Sequence, residues 1–296
     1  MAYFLYTKLE GNLQNIDLRT FNLPLLLLAI FIFGFHNLFN AYVWDYMMKN
    51  LDNKTSLIEQ MDVYMRSYVL RYIPGHVAGI MARGVFNKKY KISMVQSLWG
   101  WFLENVTYLG ISVIIGSYAV AHGAISSKIM LGLMGLTILV AIIMSVRSDL
   151  LEKIFNMFLV KKIAKEHPEK IEEAHFTMKN GSRVKLVLAY VFAWFIYSFS
   201  YIVVLVSLGV DVTRDPLLLI SINALSYAVG YLSFVTPSGA GIREGVMVVA
   251  LTEVAGIAPE IAILGALGAR VVFILGELLG FSVFYVSKFF INRNGK

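Results

Sequence analysis

The sequence predicts an all-α polytopic membrane protein, a helical bundle with two inverted re-entrant hairpins made of broken helices. Three observations lead to this prediction. The 296 residues are 58% hydrophobic and only 15% charged. Several apolar stretches exceed the ~20 residues that an α-helix needs to cross a bilayer. Two polar, glycine-containing breaks, at 71–76 and 236–244, interrupt equally hydrophobic sequence.

The apolar stretches predict five uninterrupted spans and two broken ones. The uninterrupted spans are expected at 21–47, 91–121, 127–147, 184–209 and 259–289. The broken ones are expected at about 57–90 and 214–256. The long polar stretch, 148–183, is rich in lysine and glutamate and is expected to form a surface helix. The chain leaves no room for a soluble enzymatic domain.

We therefore expect a single integral membrane domain, 1–296, with two pseudo-halves at about 20–121 and 184–289. The helix at 127–147 and the polar cytoplasmic segment 148–183 would join them. Each half would consist of a span, a broken hairpin and a second span. No residue-level repeat is evident, so the symmetry rests on topology alone. Ordinary helices kinked at Pro and Gly are the alternative, because both residues are common in membrane helices.

The distribution of Lys and Arg predicts the orientation in the membrane. If 148–183 and the C-terminus are cytoplasmic, 19 of the 26 Lys and Arg residues lie inside, 4 lie outside and 3 lie within hydrophobic segments. This arrangement requires the first broken segment to enter and leave from the cytoplasm, and the second to enter and leave from outside. No secretory signal peptide is evident. We expect a multi-pass protein of the cytoplasmic (inner) membrane with a cytoplasmic C-terminus.

The breaks are the predicted substrate-binding elements. A break exposed to lipid would leave backbone groups unpaired, so breaks survive where protein or a water-filled cavity surrounds them. The second half-helix of each hairpin begins at the break, where its N-terminus carries unpaired N–H groups and partial positive charge. Two such ends directed toward the midplane would bind an anion such as a phosphate or a carboxylate.

Glycines and arginines at the breaks are candidate site residues. Gly75, Gly239 and Gly241 would let a substrate approach the backbone closely, with plain turn residues as the alternative. Arg71 and Arg243 would add full charge beside the two breaks. Snorkelling to the interface or a structural ion pair is the alternative for these arginines.

Other ionisable residues extend the candidate site. His76 directly follows the first break, and Glu244 would either neutralise its neighbouring arginine or cap the half-helix. Glu104 and Arg270 lie within spans, where a charge costs at least ~2.5 kcal/mol, so each needs protein, water or a partner. An interhelix ion pair between Glu104 and Arg270 and direct substrate contact are both open.

A basic group at the cytoplasmic surface, Arg83, Lys88, Lys89 and Lys91, is either the positive-inside signal itself or a site that recruits an anionic lipid headgroup. No catalytic constellation, metal-ligand spacing or cofactor motif is evident, and the five histidines are scattered. The absence of cysteine excludes thiol catalysis and disulfides. We therefore expect a protein that is not an enzyme and that has no catalytic residue, metal or cofactor.

At the two breaks the sequence resembles the transmembrane, flippase-type region of lysylphosphatidylglycerol synthases. That family carries a Pro-Gly break followed by an arginine, which here are Pro74, Gly75 and Arg83. Its second half carries a Pro-Gly-Gly-x-Gly-x-Arg-Glu-like element, which here is 237–244 with Ser238 in place of a glycine. Arg270 matches a frequent basic position of the family. The resemblance covers about 20–289.

The resemblance implies lipid translocation, often beside glycan or cell-envelope biosynthesis. It extends the candidate substrate-binding set to Arg83 and Ser238. It does not imply lysine transfer to lipid, because no soluble aminoacyltransferase domain follows the spans. Family members usually have one more span before the first one here, and 1–9 would be its remnant.

We expect a lipid translocase that moves an anionic phospholipid or a polyprenyl-phosphate-linked lipid across the cytoplasmic membrane. The alternatives are a secondary transporter of a small anion, and an integral-membrane enzyme or scaffold in cell-envelope glycolipid synthesis. The expected partners are membrane lipids with anionic headgroups. A homodimer and a complex with envelope-biosynthesis enzymes are open. The net charge of +7 follows from the orientation signal and does not indicate a nucleic-acid partner.

Overall fold

The structure, a computed structural model, describes residues 21–51, 54–70, 77–123, 155, 178–232 and 239–294. These residues form helices and contain no strand. The α-helices are α1 Leu23–Lys49, α2 Leu57–Val69, α3 Val77–Asn87, α4 Met94–Ala121, α5 Asn180–Ser207, α6 Pro216–Leu232, α7 Ile242–Glu253 and α8 Pro259–Asn294. A 3₁₀ helix, Lys88–Tyr90, follows α3. The predicted all-α polytopic membrane fold is confirmed.

Four helices of the described chain, α1, α4, α5 and α8, are long and apolar enough to cross a membrane. They lie where four of the five uninterrupted spans are predicted, with ends shifted by a few residues. Large apolar side chains such as Phe31, 62% exposed, and Phe195, 66% exposed, cover their outer faces. Extensive apolar surface of this kind suits hydrocarbon rather than water. The predicted span at 127–147 and most of the polar segment 148–183 fall outside the described residues.

Each predicted broken segment contains two helices, one on either side of its break. The first helix of each pair has a defined start. Ser56 and Glu59 form a capping box at α2, in which Ser56 Oγ accepts the Glu59 N–H at 3.4 Å and the Glu59 carboxylate accepts the Ser56 N–H at 2.9 Å. The Asp215 carboxylate accepts the Leu218 N–H at 2.9 Å at the start of α6. The re-entrant and inverted course of these pairs stays a prediction.

The chain divides into two compact units, each made of separate segments. The terminal unit comprises 1–39, 111–134 and 192–296, and the middle unit comprises 40–110 and 135–191. The pair α2–α3 belongs to the middle unit and the pair α6–α7 belongs to the terminal unit. Each predicted binding element can therefore be described within one unit. The predicted single domain with two pseudo-halves stays a prediction.

Small residues bring α1 and α8 together within the terminal unit. A Cβ added at Gly280 would lie 2.9 Å from the Gly34 carbonyl oxygen, and one at Gly276 would lie 2.8 Å from Phe33 Cβ. Membrane helices pack closely through such positions, because lipid supplies no hydrophobic force between helices. This packing positions α8, the helix that carries Arg270, within the unit.

Candidate functional site

The predicted site residues fall into three sets. Arg71, Gly75, His76 and Ser238 lie outside the described residues, so their predicted roles stay predictions. Arg83 and Glu104 lie together in the middle unit. Gly239, Gly241, Arg243, Glu244 and Arg270 lie together in the terminal unit.

Arg83 lies in the middle unit within a group that we call the Arg83 cluster: Arg83, Trp44, Tyr64, Ser67 and Glu104. Its guanidinium donates a hydrogen bond to the Glu104 carboxylate and another, at 3.1 Å, to Ser67 Oγ. The guanidinium carbon also lies 4.3 Å from the Trp44 ring centroid and 4.7 Å from that of Tyr64. Two cation–π contacts, an ion pair and a hydrogen bond thus engage the charge of Arg83.

This geometry corrects the prediction that Arg83 belongs to the basic group at the cytoplasmic surface. Arg83 is only 5% exposed, whereas Lys88, Lys89 and Lys91 are exposed. The physical reason is the helical turn: five residues rotate the side chain by ~140° at 3.6 residues per turn, so Arg83 and Lys88 lie on different faces. The remaining lysines still support the predicted cytoplasmic side of this segment.

A buried polar chain fixes the surroundings of the Arg83 cluster. Trp44 Nε1 donates to Gln60 Oε1 at 3.0 Å, Gln60 Nε2 donates to Asn87 Oδ1 at 3.0 Å, and Asn87 Nδ2 donates to Ser97 Oγ at 2.9 Å. These three hydrogen bonds link α1, α2, α3 and α4. Satisfied buried networks rigidify a core, because breaking any member leaves a polar group unpaired in a low-dielectric region. The Arg83 cluster is therefore held in one arrangement.

Arg243 forms a second group, the Arg243 cluster, in the terminal unit: Arg243, Tyr197, Asn223, Tyr227 and Phe273. Its Nη2 donates to the Tyr197 hydroxyl and, at 3.4 Å, to Asn223 Oδ1. Its guanidinium carbon lies 4.9 Å from the Phe273 ring centroid, 5.6 Å from that of Tyr197 and 5.9 Å from that of Tyr227. Three helices, α5, α6 and α8, therefore supply an aromatic wall around a cation at the start of α7.

Glu244 and Arg270 lie beside this cluster. The Glu244 carboxylate accepts the Gly241 N–H at 2.6 Å and approaches Arg270 Nη1 at 3.5 Å. Gly241 has no side chain, so this is the glutamate half of a capping box, and the predicted capping role of Glu244 is observed. The predicted pairing of Arg270 with Glu104 is corrected, because Glu104 pairs with Arg83 and Arg270 pairs with Glu244. Each of the two carboxylates pairs with an arginine on a neighbouring helix. The packing of the helices determines which arginine each carboxylate reaches.

Two glycines shape the backbone before α7. Gly239 has φ +67° and Gly241 has φ +84°, values that L-residues with a side chain rarely adopt. A Cβ at Gly239 would lie 2.7 Å from the Gly230 carbonyl oxygen, and one at Gly230 would lie 2.9 Å from Arg243 Cβ. The close contact of α6 with the start of α7 therefore sets the position of Arg243.

Among the described residues around the start of α7, cations outnumber carboxylates. In the described part of the chain, Arg243 contacts a hydroxyl, an amide oxygen and ring faces, whereas Glu244 faces Arg270. Two cations and one carboxylate give this group a formal charge of +1. The N-terminus of α7 adds partial positive charge. This net positive charge favours the binding of an anion. The Arg83 cluster lacks such a net charge, because Glu104 neutralises Arg83.

Sequence reasoning missed the residues that surround Arg243. Tyr197, Asn223, Tyr227 and Phe273 look like ordinary residues of apolar helices when read singly. A usable signal was the four-residue spacing of Asn223, Tyr227 and Tyr231, which places polar and aromatic groups on one face of a helix. A polar face on a membrane helix points toward protein or water, and so toward a site.

A shallow pocket of about 280 Å³ lies at the loops of the terminal unit. Asp211, Arg214 and Asp215 form its polar rim, over apolar residues that include Leu218 and Ile257. Hydrogen bonds from Thr213 hold the pKa of Asp211 below its usual value, with Arg214 contributing less. In this pocket Arg214 pairs with Asp211, and Asp215 accepts a hydrogen bond at the start of α6. The pocket therefore offers no unpaired cation among its lining residues for an anionic ligand.

The fold and the two clusters define a polytopic α-helical membrane protein with an arginine on the second helix of each broken pair. The chain belongs to the family described as the lysylphosphatidylglycerol synthase TM region, whose model matches residues 2–280. The predicted family is confirmed. Searches of curated proteins and of solved structures find no match. The chain is thus a multi-pass membrane protein of a lipid-related family, and it interacts with membrane lipids.

Proposed function

We propose that this protein is a lipid translocase of the cytoplasmic membrane, with its C-terminus in the cytoplasm. It moves an anionic phospholipid or a polyprenyl-phosphate-linked lipid between leaflets without changing the lipid chemically. The observation that carries the proposal is Arg243, a half-buried cation at the start of α7 whose contacts in the described chain are neutral. The family membership supports a lipid as the substrate.

The cost of placing Arg243 in a membrane supports a function for it. The predicted re-entrant course places the start of α7 inside the membrane, where an arginine costs at least ~2.5 kcal/mol unless it faces a partner or a water-filled cavity. The Glu104 carboxylate compensates this cost for Arg83. No described carboxylate does so for Arg243, and a lipid phosphate would.

The geometry of the Arg243 side chain suits a phosphate. Both of its hydrogen bonds in the described chain come from Nη2, which leaves Nε and Nη1 for a second acceptor. Guanidinium groups bind phosphate through two parallel N–H donors, and the aromatic wall holds the plane of the group. Helix N-termini bind phosphate through backbone N–H groups, so α7 and Arg243 would act on the same anion.

A secondary transporter of a small anion remains the alternative, because an aqueous phosphate would meet the same donors. The proposed lipid substrate differs in its acyl chains, which require a path open to the bilayer. The two functions are therefore distinguished by whether a lipid or an aqueous anion crosses the membrane.

The test is a flipping assay in proteoliposomes. Purified protein is reconstituted into phosphatidylcholine vesicles with a trace of fluorescently labelled phosphatidylglycerol, and dithionite quenching reports exchange between leaflets. Arg243→Ala should slow exchange at least about tenfold, because losing a charged hydrogen-bond partner costs ~1.5–3 kcal/mol. Arg243→Lys should be intermediate, because it keeps the charge and loses the bidentate fork.

Arg214→Ala is the matched control, because Arg214 is 87% exposed and lies in a loop of the same unit. It should exchange lipid at the wild-type rate. Wild-type exchange by Arg243→Ala would contradict the proposal. Uptake of radiolabelled phosphate into sealed vesicles without lipid exchange would favour the small-anion transporter.

A further inference from the structure

We propose that the Glu244 carboxylate occupies the substrate's anion position when no lipid is bound, so that a phosphate enters by displacing it. The inference rests on the proposed function, because it concerns the same site at the start of α7. It adds a regulation of that site: the protein carries its own competing anion.

The contacts of Glu244 are those that a bound phosphate would make. One carboxylate oxygen accepts the Gly241 N–H at the N-terminus of α7, at 2.6 Å, and the other lies 3.5 Å from Arg270 Nη1. A helix N-terminus and a guanidinium are the two donor types that recognise phosphate in proteins. The geometry therefore already accommodates an oxyanion between these two donors.

Space and further donors are present beside the carboxylate. Gly241 is exposed, and an added Cβ there would meet no atom of the described chain within 4 Å. The first hydrogen bond inside α7 runs from Gly245 N–H to Gly241 O at 3.0 Å. The N–H groups of Ile242, Arg243 and Glu244 are thus not used within the helix. A phosphate bound here could accept hydrogen bonds from more backbone N–H groups than the Glu244 carboxylate does.

The carboxylate can leave without a change of fold. Glu244 lies three residues from Gly241 on the same helix, so rotation of its side chain alone releases the N–H and Arg270. Glu104 differs in burial, because it is 8% exposed and its partner Arg83 is 5% exposed, whereas Glu244 is half-buried. Of the two carboxylates, Glu244 is the displaceable one.

Displacement keeps the charges compensated. Among the described residues, Arg243 adjoins Glu244 in the chain and Arg270 on α8 contacts it, while the Tyr197 and Tyr227 rings on α5 and α6 pack against Arg243. Glu277 lies two turns further along α8. With the carboxylate in place, Arg270 is neutralised and Arg243 is not. A phosphodiester headgroup such as that of phosphatidylglycerol brings one negative charge, which cancels the formal charge of +1 of this group, and its unesterified oxygens can contact both arginines.

A binding experiment on the full chain tests this inference. The protein is purified in a neutral detergent, and calorimetry measures its affinity for inorganic phosphate and, separately, for dioctanoyl phosphatidylglycerol. Glu244→Gln removes the competing charge and keeps a side chain that can cap the helix. If the carboxylate holds the site for about nine-tenths of the time, the variant should bind about tenfold more tightly. Glu253→Gln, an exposed position at the other end of α7, is the control.

The outcomes separate this inference from the proposed function. Tighter binding by Glu244→Gln together with weaker binding by Arg243→Ala supports both. Unchanged or weaker binding by Glu244→Gln, with weaker binding by Arg243→Ala, overturns the displacement and retains the site. Unchanged binding in both variants overturns the site as well. Tightening for the lipid alone supports displacement by a headgroup, and tightening for both ligands supports displacement by any phosphate.

Discussion

Arg83 and Arg243 both lie on aromatic rings, but in the described chain only Arg83 donates to a carboxylate. The two environments determine different consequences for the same side chain. In the described chain a buried ion pair neutralises the charge of Arg83, whereas hydroxyl and amide contacts leave the charge of Arg243 in place. We therefore propose that Arg83 stabilises the fold and that Arg243 binds the substrate, although the family resemblance places both near a break.

Glu104→Ala should destabilise the protein by roughly 3–5 kcal/mol, because it leaves the buried Arg83 without its counter-charge. The double variant Arg83→Met/Glu104→Leu should recover most of that loss, since apolar side chains of similar volume remove both charges. Thermal unfolding in detergent measures both. Lys185→Ala, at an exposed position of α5, should be close to neutral.

Lipid exchange by the double variant distinguishes the two roles. Exchange close to the wild-type rate would place Arg83 in the scaffold, as we expect. A stable double variant that no longer exchanges lipid would mean that Arg83 contributes to transport and would contradict our assignment.

At the scale of the elements, the turn between α6 and α7 depends on how near two backbones lie. Gly239 contacts Gly230 across the turn, and Gly230 contacts Arg243 Cβ. The position of the cation is thus coupled to the conformation of the glycines. The glycines of this turn therefore have a geometric role that does not depend on the predicted substrate binding.

Gly239→Ala should lower the melting temperature more than Gly241→Ala does. Both positions have positive φ, which costs a side-chain-bearing residue about 1–3 kcal/mol. The Cβ at Gly239 would also lie 2.7 Å from the Gly230 carbonyl oxygen, whereas Gly241 faces open space in the described chain. Thermal unfolding in detergent measures the difference.

Gly181→Ala is the control for this pair. Gly181 lies in the first turn of α5, and an added Cβ there would meet nothing within 4 Å. The change should be neutral or slightly stabilising, because alanine favours a helix over glycine. A loss at Gly241 equal to or above the loss at Gly239 would mean that the contact with Gly230 does not set the turn.

At the scale of the whole molecule, the two clusters draw on their helices in the same order. Each arginine lies on the second helix of a broken pair and contacts the long helix before the pair, the first helix of the pair and the long helix after it. The contacting residues are Trp44, Tyr64 and Glu104 for Arg83, and Tyr197, Tyr227 and Phe273 for Arg243. This correspondence is a residue-level counterpart to the repeat that topology predicts.

The sequence was sufficient to predict the positions of the helices, but not which side chains of neighbouring helices pair with each other. Apolar runs above ~20 residues predict spans directly, and Pro and Gly mark the breaks. The burial of Arg83 and the pairing of Arg270 with Glu244 depend on which helix faces turn toward each other. Every carboxylate carries the same charge, so charge does not indicate which arginine it pairs with. The sequence therefore identified the ionisable residues of the site but not their partners.

Single-cysteine labelling should establish the orientation, and the chain contains no native cysteine that would interfere. Cysteines at the exposed positions Lys88 and Lys179 should react from the cytoplasmic side, and one at Arg214 should react from outside. The reason is the excess of Lys and Arg that the inverted arrangement places inside. A membrane-impermeant maleimide applied to intact and to permeabilised cells reads the side, with the cysteine-free wild type as the control. Labelling of Lys88→Cys and Arg214→Cys from one side would contradict the inverted arrangement, since the two broken segments would then open toward the same face.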